Sequence, residues 1–177
     1  MYIFLDIDGV LNDSQFRWEG LQRQDYSVLI DPKKVELLKK IVEETGSRIV
    51  LSSSWGKFWA NNPVDSAGKR IDAALEKYGL AVSEKTPQIR NATRSQEIEA
   101  FLQNHPYVVN YVILDDNDYG WSRRLRSHWV QTNGSVGLDE EAVALTIDVL
   151  RGNLMPVPKE TVWERMKRVW KERIYSP

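Results

Sequence analysis

The chain has 177 residues, with 24 Lys and Arg against 25 Asp and Glu, two His and no Cys. That length suits one domain, two at most, and can bury a core without disulfides or structural zinc. The lack of Cys excludes a disulfide framework, a thiolate metal centre and a Cys nucleophile. A net charge of −1 argues against coating nucleic acid by bulk electrostatics.

No apolar run approaches the roughly 20 residues of a membrane span. The N-terminus has neither a basic stretch nor a small-residue cleavage site, so the expectation is a cytoplasmic protein. Seven Trp point to aromatic packing or contact surfaces.

Residues 1–5 are apolar and stop at Asp6-Ile7-Asp8-Gly9, which reads as a buried parallel strand closed by a turn. Residues 12–30 are polar and read as irregular. Asp31-Pro32 opens a helix, with Asp as cap and Pro at the first helical position. Val35, Leu38, Ile41 and Val42 form its apolar face, and Gly46 ends it. Arg48 to Leu51 is a second buried strand, closed by Ser52-Ser53-Ser54-Trp55.

Ile71, Ala74, Leu75 and Tyr78 mark the next helix, ending at Gly79. Leu80-Ala81-Val82 is a weak strand, and residues 83–93 read as loop. Thr93 with Gln96 forms a capping box for a helix that turns Ile98, Phe101 and Leu102 inward. Tyr107 to Leu114 is a third strong strand, ending at Asp115-Asp116. Trp129 to Thr132 is a short further strand. Asp139 caps a helix with Ala142, Val143, Ile147 and Leu150 inside. Beyond a Pro-containing linker, 152–158, a helix from Lys159 carries an apolar stripe and a basic face.

Strands alternating with helices predict a three-layer α/β fold, a mainly parallel Rossmann-like sheet covered on both faces. Residues 1–152 form the catalytic domain of this reading, and 153–177 an amphipathic helix appended to it. In such sheets the ligand crevice lies beyond the carboxyl ends of the strands. Asp6, Asp8, the run Ser52 to Ser54, Asp115 and Asp116 therefore converge.

Four carboxylates in one place need a cation. Oxygen ligands without thiolate suggest Mg²⁺, and Mg²⁺ beside hydroxyl donors suits a phosphoryl group. Asp6 can attack phosphorus to give an aspartyl-phosphate. Asp8 can protonate the leaving oxygen and later deprotonate water. Gly9 lets the backbone turn sharply and present its N–H groups to phosphate.

Phe4-Leu5-Asp6-Ile7-Asp8-Gly9-Val10-Leu11-Asn12 resembles the first motif of the haloacid dehalogenase (HAD) superfamily. Ile49 to Trp55 resembles its second motif and Tyr111 to Asp116 its fourth. The wording is close to the HAD domains of RNA-repair ("Swiss Army Knife") proteins, which share the helix start Arg94-Ser95-Gln96-Glu97-Ile98 and the helix entry Gly137-Leu138-Asp139.

The resemblance implies Asp6 as nucleophile and Asp8 as acid/base. Asp6, Asp115, Asp116 and the backbone carbonyl of Asp8 would be Mg²⁺ ligands. It places a phosphate oxygen on Ser53, with Ser52 as the alternative and Ser54 and Gly9 beside it. It also asks for a third-motif cation. Arg94 fits that role best, with Lys85 and Arg90 as rivals.

The implied activity is phosphomonoester hydrolysis. Its alternative is a non-catalytic module that binds phosphorylated ends within a repair assembly. The gaps Val10–Asp31 and Trp55–Arg94 house no obvious cap domain, which leaves the site open to large substrates. Trp18, Trp55, Trp59 and Trp121 are candidates for base stacking, and Arg123, Arg124 and Arg126 follow the fourth motif. A nucleic-acid end and a small phosphomonoester weigh about equally as substrate. The C-terminal stripe packs on the domain or against a second copy of the chain, not on a membrane.

Overall fold

A computed structural model describes residues 1–22, 29–57, 59 and 66–157. The expected C-terminal helix from Lys159 lies outside the described residues.

Five parallel strands form one sheet: β1 (Tyr2–Leu5), β2 (Arg48–Leu51), β3 (Val82–Lys85), β4 (Tyr111–Asp115) and β5 (Trp129–Gln131). Their spatial order is β3-β2-β1-β4-β5. Six helices are described: α1 (Ser14–Gln22), α2 (Pro32–Thr45), α3 (Ser66–Glu76), α4 (Arg94–Asn104), α5 (Arg123–Arg126) and α6 (Glu140–Leu150).

Alternation along β1 explains the layers, because successive side chains leave opposite faces of a strand. Ile3 and Leu5 join Leu38 and Ile41 of α2, Ile71 and Leu75 of α3 and Val143 of α6 in one buried cluster. Tyr2 and Phe4 join Ile98 and Phe101 of α4, Leu125 of α5 and Trp129 in another. The sheet is thus covered on both faces, which is why its central strands read as unbroken apolar runs. β1 sits between β2 and β4 in register, Leu5 beside Leu51 and Leu114. That register brings three strand ends to the same level.

The helix signals operate as read. The Asp31 carboxylate accepts from the Lys33 N–H, and Gly46 closes α2 in the left-handed region at φ 64°. Thr93 and Gln96 form a reciprocal capping box on α4. Asp139 accepts from Ala142 N–H at the start of α6.

Four sequence expectations are corrected. Residues 12–30 contain a helix, α1, whose start is fixed by Asp13 Oδ1 accepting from Phe16 N–H at 2.7 Å. The weak strand at 80–82 lies two residues later, as β3, and takes in Ser83 to Lys85, expected as loop. It is an edge strand, partly exposed, so no apolar run marks it. The third strong strand begins at Tyr111, not Tyr107; Tyr107 and Val109 face solvent on the approach to it. Trp121, expected as a base-stacking surface, is 4% exposed and tilts against Trp129 in the core.

Candidate active site

Asp6 follows β1 and donates its N–H to Leu114 of β4 at 3.0 Å. Ser52 follows β2 and donates its N–H to Leu5 at 2.8 Å. Asp115 is the last residue of β4. Three strand ends therefore deliver Asp6, Ser52 and Ser53, and Asp115 to one buried place.

Arg94, the first residue of α4, closes this place from the side. Its Nη1 lies 2.6 Å from Asp6 Oδ2 and 2.5 Å from Asp115 Oδ2. Its guanidinium also lies over the Tyr119 ring, with Cζ 4.7 Å from the centroid. A fixed fork with an aromatic platform holds one nitrogen between two carboxylates. Of the two rival cations, Lys85 is committed elsewhere: its Nζ donates to the carbonyls of Gly56 and Trp59 at 2.9 and 3.0 Å. Arg90 is exposed in the neighbouring groove.

Burial decides the electrostatics. Desolvation pushes the Asp6 carboxyl above its usual range, against Arg94, the Ser53 hydroxyl and the Ile7 N–H. Desolvation likewise pushes Asp115 up to about 7, opposed by Arg94 and reinforced by the nearby charge of Asp6. Burial alone would lower Arg94, yet Asp6 and Asp115 hold it above its ordinary value. One guanidinium thus serves both carboxylates.

Asp116 stands beside them. Asp6, Asp115 and Asp116 each offer a carboxylate oxygen within 4.8 Å of the others. Asn117 Nδ2 donates to Asp116 Oδ1 at 2.6 Å. Two glycines make room for this carboxylate: a Cβ on Gly9 or Gly134 would collide with it. The buried Oδ1 of Asp6 has no hydrogen-bond partner. An all-oxygen set with one unsatisfied buried oxygen matches what a hard divalent ion requires.

Asp8 is held apart from this cluster. Its Oδ2 accepts from Trp55 Nε1 at 2.9 Å, and its Oδ1 from Asn12 Nδ2 at 3.1 Å and Arg17 Nη1 at 3.3 Å. Its side chain is thus engaged by donors rather than grouped with Asp6, Asp115 and Asp116.

At Gly9 a further expectation is corrected. Its φ of 76° makes the turn, as read from the sequence. Its N–H, however, donates to Asn12, and the N–H groups of Val10, Leu11 and Asn12 all donate to the Ile7 carbonyl. None of these four N–H groups is left to present to a phosphate. The loop is locked from behind, where Thr132 Oγ1 donates to the Gly9 carbonyl at 2.7 Å and Leu138 N–H to that of Val10 at 2.8 Å.

The hydroxyls divide. Ser53 is buried, faces Asp6, and accepts from Trp55 N–H at 3.3 Å. Ser52 is buried with its hydroxyl unpartnered. Ser54 is exposed on a 3-10 turn, Ser54–Lys57, and lines an open groove of about 680 Å³. Lys57, Arg90, Arg94 and Tyr119 line the same groove.

Asn12, Arg17 and Tyr119 are site residues to which the sequence reading gave no role, and Trp55, expected as a base-stacking surface, instead turns its indole to Asp8 and packs on the core. Trp55 and Asn12 stood inside quoted motifs, but nothing in the spacing says that they share a partner. Both His serve packing: His105 stacks on Phe101 and His128 on Tyr111. Among the described residues no helix is long and apolar enough to cross a membrane.

No curated protein and no solved structure matches the chain. The family model of the HAD domain in Swiss Army Knife RNA repair proteins matches residues 2–143, the span that carries every residue of this site, and the chain belongs to that family.

Proposed function

We propose that the chain is a phosphomonoester hydrolase that works through an aspartyl-phosphate on Asp6 and acts on phosphorylated nucleic-acid ends. The HAD family supports a phosphatase-type activity in RNA repair. The observation that carries the finer reading is the placement of Asp6 and Asp115 at adjacent strand ends with Arg94 between them.

In this reading an Asp6 carboxylate oxygen attacks phosphorus while the bond to the leaving oxygen breaks. Asp8 gives that oxygen its proton. Water then attacks the phosphorus of the aspartyl-phosphate, Asp8 takes a proton from the water, and Asp6 is released as inorganic phosphate departs. The Ser53 hydroxyl donates to a phosphoryl oxygen, and Arg94 offsets negative charge on Asp6 and on the phosphoryl group.

Asp6, Asp115 and Asp116, with the backbone carbonyl of Asp8, would hold Mg²⁺. When bound, that ion neutralises phosphoryl charge.

The groove supports a large substrate. Lys57 and Arg90 line it without an ion pair among the described residues, so a second phosphate can be met beyond the reacting one. The test is hydrolysis of p-nitrophenyl phosphate and of 3′- and 5′-phosphorylated oligonucleotides by the purified chain with Mg²⁺. Asp6→Asn should lower turnover by at least about 10³-fold with the fold kept. Retention of near wild-type turnover removes the reading. Binding of phosphorylated ends without any turnover favours the non-catalytic alternative.

A further inference from the structure

Trp55 lies on the turn that follows the second strand, two residues beyond Ser53, yet its indole reaches back to the first motif. Its Nε1–H donates to Asp8 Oδ2 at 2.9 Å. Its own backbone N–H donates to Ser53 Oγ at 3.3 Å. Its ring packs against the core cluster beneath the sheet end. A single residue thus ties the serine beside Asp6 to the carboxylate two residues downstream of Asp6.

We infer that Trp55 is the positioning residue for the proton-transfer role of Asp8, an inference that rests on the hydrolase reading above. Among the described residues, each side chain that hydrogen-bonds to Asp8 does so through an N–H: Trp55, Asn12 and Arg17. Indole and guanidinium have no acceptor to offer. The Asn12 amide oxygen is turned away to the Gly9 N–H at 3.3 Å, so none of these three groups competes with the leaving oxygen or water for a proton on Asp8. Arg17 is half exposed, so its ion pair with Asp8 is weak and screened. Trp55 and Asn12 supply the firmer restraint. Among the described residues Trp55 alone pins Oδ2, and it does so from a turn tied to Ser53.

A role in positioning an acid differs from a packing role in how it depends on the leaving group. A nitrophenolate departs without a proton, whereas an alkoxide needs one in the transition state. Trp55→Phe keeps the aromatic packing and removes the N–H. It should lower kcat/KM for an alkyl phosphate by about 10- to 100-fold while lowering that for p-nitrophenyl phosphate less than about threefold. Asp8→Asn should show the same asymmetry in stronger form. In the Asp8→Asn background the Trp55 change should add nothing, because the pair acts as a unit.

Site-specific benzothienylalanine at position 55 keeps the shape of the indole without its N–H. It should reproduce the asymmetry, and it decides the matter if Trp55→Phe does not fold. Equal losses on both substrates, or losses that add to those of Asp8→Asn, would overturn the role of Trp55 while leaving the hydrolase reading intact. A wild-type chain without phosphatase activity overturns both.

Discussion

Arg94 Nη1 stands 2.6 Å from Asp6 Oδ2, with both side chains almost wholly buried. The same nitrogen touches Asp115, so one guanidinium offsets two carboxylates that would otherwise repel each other in a desolvated pocket. Removing one member of such a set leaves the others uncompensated, which typically costs several kcal/mol.

Arg94→Ala should therefore destabilise the metal-free chain by about 3 kcal/mol at pH 7.5. For a chain of this size that lowers Tm by roughly 6–12 °C. Added Mg²⁺ should recover more stability in Arg94→Ala than in the wild type, since the ion then supplies the missing charge. Thermal melts in EDTA and in Mg²⁺ check this. An unchanged Tm in EDTA would mean that the pair contributes no net stability.

The pH dependence follows from Asp115, whose carboxyl is pushed up to about 7, and from Asp6, raised in the same direction. A carboxyl raised in the folded state binds its proton more tightly folded than unfolded. Its contribution is complete below the ordinary value of 3.8 and is lost as pH climbs through about 7. Within that window each of these two carboxyls should cost the metal-free chain up to about 1.4 kcal/mol per pH unit. Urea melts in EDTA between pH 4.5 and 7.5 measure the slope, and Asp115→Asn should flatten it. A slope that survives Asp115→Asn unchanged would assign it to other groups.

The sequence displayed the fold wherever a signal was local. The apolar runs of β1, β2 and β4 are buried on both faces, so they need no alternation to be seen. Asp31-Pro32, Thr93 with Gln96, and Asp139 each announce a helix through their own cap. α1 escaped because its start depends on Asp13 alone and Ser14–Gln22 carries little apolar periodicity. β3 was read only as a weak strand at 80–82 because an edge strand carries Ser83, Glu84 and Lys85 without an apolar face.

In the site, carboxylates at strand ends are legible because the topology brings strand ends together. The Trp55–Asp8 hydrogen bond spans 47 positions, and no spacing rule encodes which side chain turns to which. The occupied N–H groups of residues 9–12 were likewise hidden, since Gly9 signals a turn but not where its amide points.

On the proposed reading the groove distinguishes large substrates from small ones. Lys57 and Arg90 lie beyond the reacting centre, so neutralising both with Gln should weaken binding of a phosphorylated oligonucleotide by about tenfold and leave p-nitrophenyl phosphate nearly untouched. Each lost phosphate contact should also lower the salt dependence of KM, by a slope of about 0.7 to 0.9. Steady-state kinetics over a range of KCl read both effects. An equal loss on the two substrates would place these cations in the chemistry rather than in substrate reach.

Gly134 offers the cleanest way to move Asp116 without touching a carboxylate. A Cβ there would come within 2.6 Å of Asp116 Oδ2, the mobile end of a side chain, and Gly134 lies outside the left-handed region. Gly9 differs: its φ of 76° makes any side chain strained, by roughly 1–2 kcal/mol. Gly134→Ala should therefore fold with Tm within a few degrees of wild type, while Gly9→Ala should be clearly destabilised. In Gly134→Ala the displaced carboxylate should weaken Mg²⁺ binding by about tenfold, the scale seen when a metal ligand loses its support. Calorimetric titration with Mg²⁺ gives the affinity. An unchanged affinity in a folded Gly134→Ala would remove Asp116 from the metal set and leave Asp6 and Asp115 to hold the ion.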